Sequence, residues 1–96
     1  MLLARVVGNV VSSRKSERLI GTKLLIIEPV DFKKQKSDGR LMVAIDAVGA
    51  GVGEVVLIVQ GSSARLTETT KDTPVDATIM AIVDYIELEG KQTFAK

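Results

Sequence analysis

The apolar residues of this chain fall in short, β-branched runs, each closed by glycine, proline or a charged turn. That pattern builds strands rather than long helices. The first run, residues 2–11, is rich in leucine and valine, with Arg5 and Asn9 as polar interruptions; Gly8 inside it marks a bulge or a close backbone approach. Residues 23–28 form a second run between Gly21 and Pro29, residues 40–48 a third, and residues 55–60 a fourth. The fourth is almost continuously apolar and is expected to be buried on both faces. The last run, residues 78–88, fits two periods. Ile79, Ile82, Val83 and Ile86 share a helical face, whereas Ile79, Ala81, Val83 and Tyr85 share one face of a strand. Its β-branched content favours the strand.

Between these runs lie a polar loop at 12–18 (SSRKSER), a charged loop at 31–39 (DFKKQKSDG) with an Asp38-Gly39 turn, and a glycine-rich connection at 49–54. Ser62 is placed to N-cap a short helix over 62–65, residues 67–73 read as an exposed loop, and a brief turn is expected at 74–77. The expected fold is all-β: a small five-stranded OB-like β-barrel with at most one or two short helical turns. It occupies residues 1–88 as a single domain. Residues 89–96 are expected to be a polar C-terminal tail, a kind of segment that frays or reaches a neighbour.

A chain of 96 residues has room for one domain. Its hydrophobic content is 46% and its mean hydropathy +0.24, a large apolar load for so small a domain without disulfides. Part of that load is expected to be buried against other chains, because wide apolar patches are uncommon on soluble monomers. The longest wholly apolar runs fall far short of the roughly 20 residues of a membrane helix. Residues 1–11 lack a basic leader and carry Arg5 within the apolar stretch, so a soluble cytoplasmic protein without a membrane partner is expected.

Several function classes lose their usual chemistry. With 13 basic and 12 acidic residues the net charge is +1, too little for a strong pull on nucleic acid. There is no cysteine and no histidine, which removes thiolate chemistry, the commonest general base near neutral pH and the commonest metal ligand. No catalytic, cofactor or metal residues are assigned. Gly49, Gly51 and Gly53 are spaced G-x-G-x-G and precede a β-branched run. A dinucleotide fingerprint needs G-x-G-x-x-G opening a helix. Gly21-Thr22-Lys23 lacks the earlier glycine of a phosphate-binding loop. Lys33, Lys34 and Lys36 are interleaved with Asp31 and Asp38 and read as a solvated loop. Only Phe32, Tyr85 and Phe94 could stack on bases, which weakens the alternative of an OB-type module for single-stranded nucleic acid or another ligand. Asp46 and Asp84 stand in apolar surroundings, with Arg5 and Arg65 as candidate ion-pair partners.

Three stretches carry a resemblance. They are Ala4-Arg5-Val6-Val7-Gly8-Asn9-Val10-Val11, the segment from Val48-Gly49-Ala50-Gly51-Val52-Gly53-Glu54 through Gly61-Ser62-Ser63-Ala64-Arg65, and Pro74-Val75-Asp76-Ala77 with Ile82-Val83-Asp84. Together they resemble the EutN/CcmL family of bacterial microcompartment shell vertex proteins, and the middle stretch is the most specific. The resemblance implies a structural protein, not an enzyme. It would be a homopentamer with a narrow axial opening that caps shell vertices in the cytoplasm and borders hexameric shell proteins. Gly53 leans towards the catabolic, enzyme-encapsulating type of compartment. By the same resemblance, Gly49, Gly51, Gly53, Glu54, Gly61, Ser62, Ser63, Ala64 and Arg65 are expected at a subunit interface or pore loop. Arg14 and Lys15 are expected to face shell hexamers.

Overall fold

The computed structural model describes residues 1–12, 21–61 and 76–96. Among them the apolar runs become strands β1 (Leu2–Val10), β2 (Leu24–Pro29), β3 (Met42–Asp46), β4 (Val55–Gln60) and β5 (Ala77–Ile82). These five close a barrel in the order β1-β2-β3-β5-β4. Neighbours are antiparallel except β3 and β5, which run parallel and meet through Ile45↔Thr78 and Asp46↔Ile79. This is the small all-β barrel that the sequence predicts, and no helix occurs among the described residues. The short helix expected over 62–65 lies outside the described residues, as do most of the 12–18 loop and the loop at 67–73.

Alternation along each strand sends one set of side chains inward. Ala4 and Val6, Leu25 and Ile27, Ala44, Val56 and Ile58, and Ala77 and Ile79 form one buried cluster. A five-stranded barrel has a narrow interior, so large and small side chains must share it. The β1–β2 register shifts between Val6 and Gly8, leaving Val7 as the extra residue of a bulge. The bulge expected at Gly8 is therefore present, and the side chain of Ile26 lies over the glycine. A Cβ there would stand 3.4 Å from Ile26 Cδ1.

A second, smaller cluster lies outside the barrel wall. Leu3, Val30 and Val55 are buried there, with Leu57, Val83, Ile86 and Phe94 packed against them. It explains why Val55 is buried as well as Val56 and Ile58: β4 is covered from inside and, at its start, from outside.

Two expectations near the C-terminal end are corrected by this layer. The run at 78–88 is not one strand. β5 stops at Ile82, Val83 donates its N–H to the Val55 carbonyl at 2.8 Å, and β6 (Tyr85–Leu88) begins after Asp84. The chain must leave the barrel wall there to cross its outer face. Residues 89–96 are not a free tail either. β7 (Lys91–Ala95) pairs with β6 through a two-residue turn at Glu89 and Gly90, whose φ values of 54° and 78° suit the tight hairpin turn that matches strand twist. Lys91 and Gln92 are exposed, which makes the segment read as polar, but Phe94 joins the outer cluster.

The two layers differ in what their loss should cost. Ile58→Ala empties a fully buried site in the barrel and should destabilise the protein by about 2–5 kcal/mol. Phe94→Ala removes a half-buried side chain and should cost less. Denaturant unfolding of both variants at one fixed protein concentration checks this ranking, and a larger loss for Phe94→Ala would contradict it.

Candidate functional site

The glycine-rich connection between β3 and β4 is held by hydrogen bonds along most of its length. Asp46 ends β3 with its side chain almost fully buried, and its Oδ1 accepts the N–H groups of Val48 and Gly49, both at 3.0 Å. This turns the chain sharply. Ala50 then drops into the barrel mouth, where it is fully buried in the core cluster. From Gly51 to Glu54 the chain turns again. Glu54 N–H donates to the Gly51 carbonyl at 3.2 Å, and Gly53 sits at the third position with φ of 94°, as such a turn requires. Gly53 N–H donates to the Val6 carbonyl at 2.8 Å and Val6 N–H to the Glu54 carbonyl at 2.9 Å, so the loop is stitched to β1.

Two carboxylates and two lysines brace this loop. Lys23 Nζ donates to the Ala50 carbonyl at 2.8 Å and lies 3.9 Å from Asp46 Oδ2. Glu54 Oε1 accepts the Gly51 N–H at 2.8 Å, and its Oε2 accepts from Lys96 Nζ at 2.7 Å. The hydrogen bond from Lys96, then that from Gly51, holds the Glu54 carboxyl below the usual carboxylate range; the same pairing raises Lys96. Lys23 and Lys96 are the site residues that sequence reasoning missed. Their partners lie 27 and 42 residues away, and neither spacing leaves a local signal.

The expected site residues do not all meet. Gly49, Gly51, Gly53 and Glu54 stand at the start of β4 and Gly61 just past its end, roughly 20 Å away by strand rise. Gly61 N–H donates to the Asp76 carbonyl at 2.8 Å, which ties together the two ends of the connection to β5. Ser62, Ser63, Ala64 and Arg65 lie outside the described residues, as do Arg14 and Lys15. The candidate ion pairs change partners: Arg5 faces Glu28 on the adjacent strand at 3.9 Å, Asp46 faces Lys23, and Asp84 is exposed. Gly51 has a different status from its neighbours. It needs no left-handed conformation, and a Cβ there would make only an ordinary contact, 3.5 Å from Glu54 Oε1.

In the lysine-rich loop the Asp31 carboxylate accepts the backbone N–H groups of Lys33, Lys34 and Lys36, with the Lys34 bond the largest of the effects that lower its pKa. The backbone donors that a phosphate would need are taken by the loop's own aspartate. The aromatic residues form no stacking platform: Phe94 is packed in the outer cluster, Phe32 sits on the charged loop and Tyr85 on the hairpin. Among the described residues no three His, Cys, Asp or Glu side chains gather as metal ligands.

The described residues thus form a closed five-stranded barrel with a hydrogen-bonded glycine loop and an outer hairpin. The family described as "Ethanolamine utilisation protein EutN/carboxysome" matches residues 1–84. The microcompartment shell vertex protein EutN of Salmonella typhimurium is 43% identical over 96 residues, covering 100% of this chain and 96% of that one. The structure of CcmL from Nostoc sp. PCC 7120 superposes with a TM-score of 0.93 at 41% identity, covering 100% of both chains. A structure described as the GrpN pentameric microcompartment shell protein from Rhodospirillum rubrum superposes with a TM-score of 0.82 at 43% identity, covering 92% of this chain and 99% of that one. The chain belongs to the EutN/CcmL family.

Two outcomes follow from the loop. Gly53→Ala forces a side chain into a left-handed conformation and should cost about 1–2 kcal/mol, whereas Gly51→Ala should leave the stability of the folded chain nearly unchanged. Thermal unfolding compares the two. The depressed Glu54 carboxyl favours the folded state above the ordinary glutamate pKa, and that contribution is lost as pH falls through the lowered value. The stability gap between wild type and Glu54→Gln should therefore be widest near neutral pH and close on acidification, which a pH series of melting curves checks.

Proposed function

We propose that this chain assembles as a homopentamer and caps the fivefold vertices of a bacterial microcompartment shell, as a structural component that catalyses no reaction. The observation that carries this reading is the full-length match to shell vertex proteins, among relatives that include a pentameric shell protein. The mechanism is geometric. A flat layer of hexagonal tiles cannot close on itself without fivefold positions. A ring forms when one surface of the subunit packs on a different surface of the next and the rotation closes. A braced barrel serves this purpose, because closure after five copies demands a fixed angle between the two surfaces.

The partners are then other copies of the chain and hexameric shell proteins, with Arg14 and Lys15 at the outer rim. The glycine loop and the segment from Gly61 to Arg65 act as two separate subunit contacts, since the loop precedes β4 and Gly61 follows it. Gly51, which its own chain does not require to be a glycine, is the position reserved for close approach of a neighbour. Neither nucleic acid nor membrane has a part in this reading, and the protein resides in the shell within the cytoplasm. The catabolic type of compartment is part of the proposal. Gly53 has its own reason in the turn, and identities of 43% to EutN and 41% to CcmL are nearly equal, so neighbouring genes for encapsulated enzymes are the test of type.

Native mass spectrometry tests the assembly. The expected mass is five times 10.3 kDa. Gly51→Val should lower the fraction of rings while leaving a folded subunit. A chain that stays monomeric across concentration and salt would overturn the reading.

A further inference from the structure

The C-terminal hairpin is attached to the barrel in a different way from the barrel's own strands. Each of β1 to β5 pairs with two neighbours in the closed ladder, whereas β6 and β7 form a sheet of their own. A two-stranded hairpin is marginally stable alone, so its order depends on what it docks against. The chain enters it from the Val83–Val55 hydrogen bond, and Lys96 N–H returns to the Asp84 carbonyl at 2.8 Å, closing the hairpin at its base. Ile86 and Phe94 pack on the cluster of Leu3, Val30 and Val55.

Two polar side chains complete the attachment, and each reaches a different loop. The first is aimed by a bulge. The β6–β7 register shifts between Ile86↔Phe94 and Glu87↔Gln92, which leaves Thr93 as the extra residue. Its Oγ1 donates to the Phe32 carbonyl at 2.7 Å, in the charged loop between β2 and β3. The second is Lys96, whose Nζ donates to Glu54 Oε2 at 2.7 Å, while Oε1 of that carboxylate accepts the Gly51 N–H. One hairpin therefore holds two separate connections, β2–β3 and β3–β4. The Thr93 bond is exposed, and the Lys96 side chain is 53% exposed. Few buried apolar contacts and exposed hydrogen bonds are the marks of a segment that opens before the core does.

We propose that residues 85–96 form a clasp, a unit that opens and closes on the intact barrel and whose closed state fixes the 31–39 loop and the glycine loop together. When the clasp opens, Glu54 loses Lys96 and its carboxylate is free to leave Gly51. The glycine loop then keeps only its bonds to Asp46, Lys23 and β1. The order of the glycine loop is thereby linked to Thr93, which does not touch it. The clasp is a property of the single chain and is independent of the pentameric reading.

Hydrogen–deuterium exchange of wild type, Thr93→Val and Lys96→Met, read by mass spectrometry, tests the proposal. In wild type, residues 85–95 should exchange together and at least about tenfold faster than the β1–β4 ladder. Thr93→Val removes only the tie to the 31–39 loop, where the Phe32 carbonyl still accepts Gln35 Nε2 at 3.1 Å. It should nevertheless speed exchange of both the hairpin and residues 49–54 by about threefold to tenfold, the effect of one lost hydrogen bond, with the β2–β3 ladder unchanged. Lys96→Met should act in the reverse direction and speed exchange over residues 33–36. A hairpin that exchanges as slowly as the barrel would overturn the proposal. So would a Thr93→Val effect that stops short of residues 49–54. Should a variant fail to fold, wild type in rising urea decides: the hairpin should open with its own shallow slope, ahead of the barrel. Exchange of the hairpin only together with the barrel would overturn the clasp.

Discussion

The barrel depends on a very short seam. Four of its five junctions are antiparallel ladders, but closure rests on two parallel residue pairs between β3 and β5, Ile45↔Thr78 and Asp46↔Ile79. Asp46 strengthens that seam from several directions. Its N–H bonds to the Lys23 carbonyl, its carboxylate holds the turn at Val48 and Gly49, and Lys23 stands beside it. The next residue continues the seam, with Ala47 N–H directed at the Ile79 carbonyl. A buried carboxylate is tolerable here because its acceptor capacity is used by backbone donors and a cation.

The same seam sets the position of the glycine loop. The turn made by Asp46 delivers Ala50 into the barrel mouth, and the small side chain fits where the five strands leave little space. Lys23, Lys96 and β1 then hold the loop from three sides. These bonds leave the loop little conformational freedom. The hairpin adds the complementary property. It covers part of the outer face of β1 and β4 through Ile86 and Phe94, whereas Val7 and Val43 stay partly exposed.

Much of this was legible in the chain before folding. The first four strands lie within about two residues of the apolar runs, because one-sided burial imposes a period of two and glycine and proline end it. Gly8 was legible as a bulge. The C-terminal part was not. Residues 78–88 satisfy two periods at once, and no local residue announces that the chain leaves the barrel at Val83. Lys91 and Gln92 hide a strand that packs Phe94 in the outer cluster and ties Thr93 to the Phe32 carbonyl. At the loop, Gly49, Gly51, Gly53 and Glu54 were identifiable as a group. What each does was not, since Gly53 answers to a backbone angle and Gly51 does not.

The sequence by itself determined the strand pattern, the absence of histidine and cysteine chemistry, and the resemblance that leads to the shell family, because these depend on residue type and near-neighbour spacing. Only the tertiary structure decided that Lys23 and Lys96 brace the glycine loop, that Arg5 faces Glu28, and that Ile26 stands opposite Val43. Those relations join residues far apart in the chain. They exist only once barrel closure has chosen a register, and a shift of one residue would turn each strand's outward side chains inward.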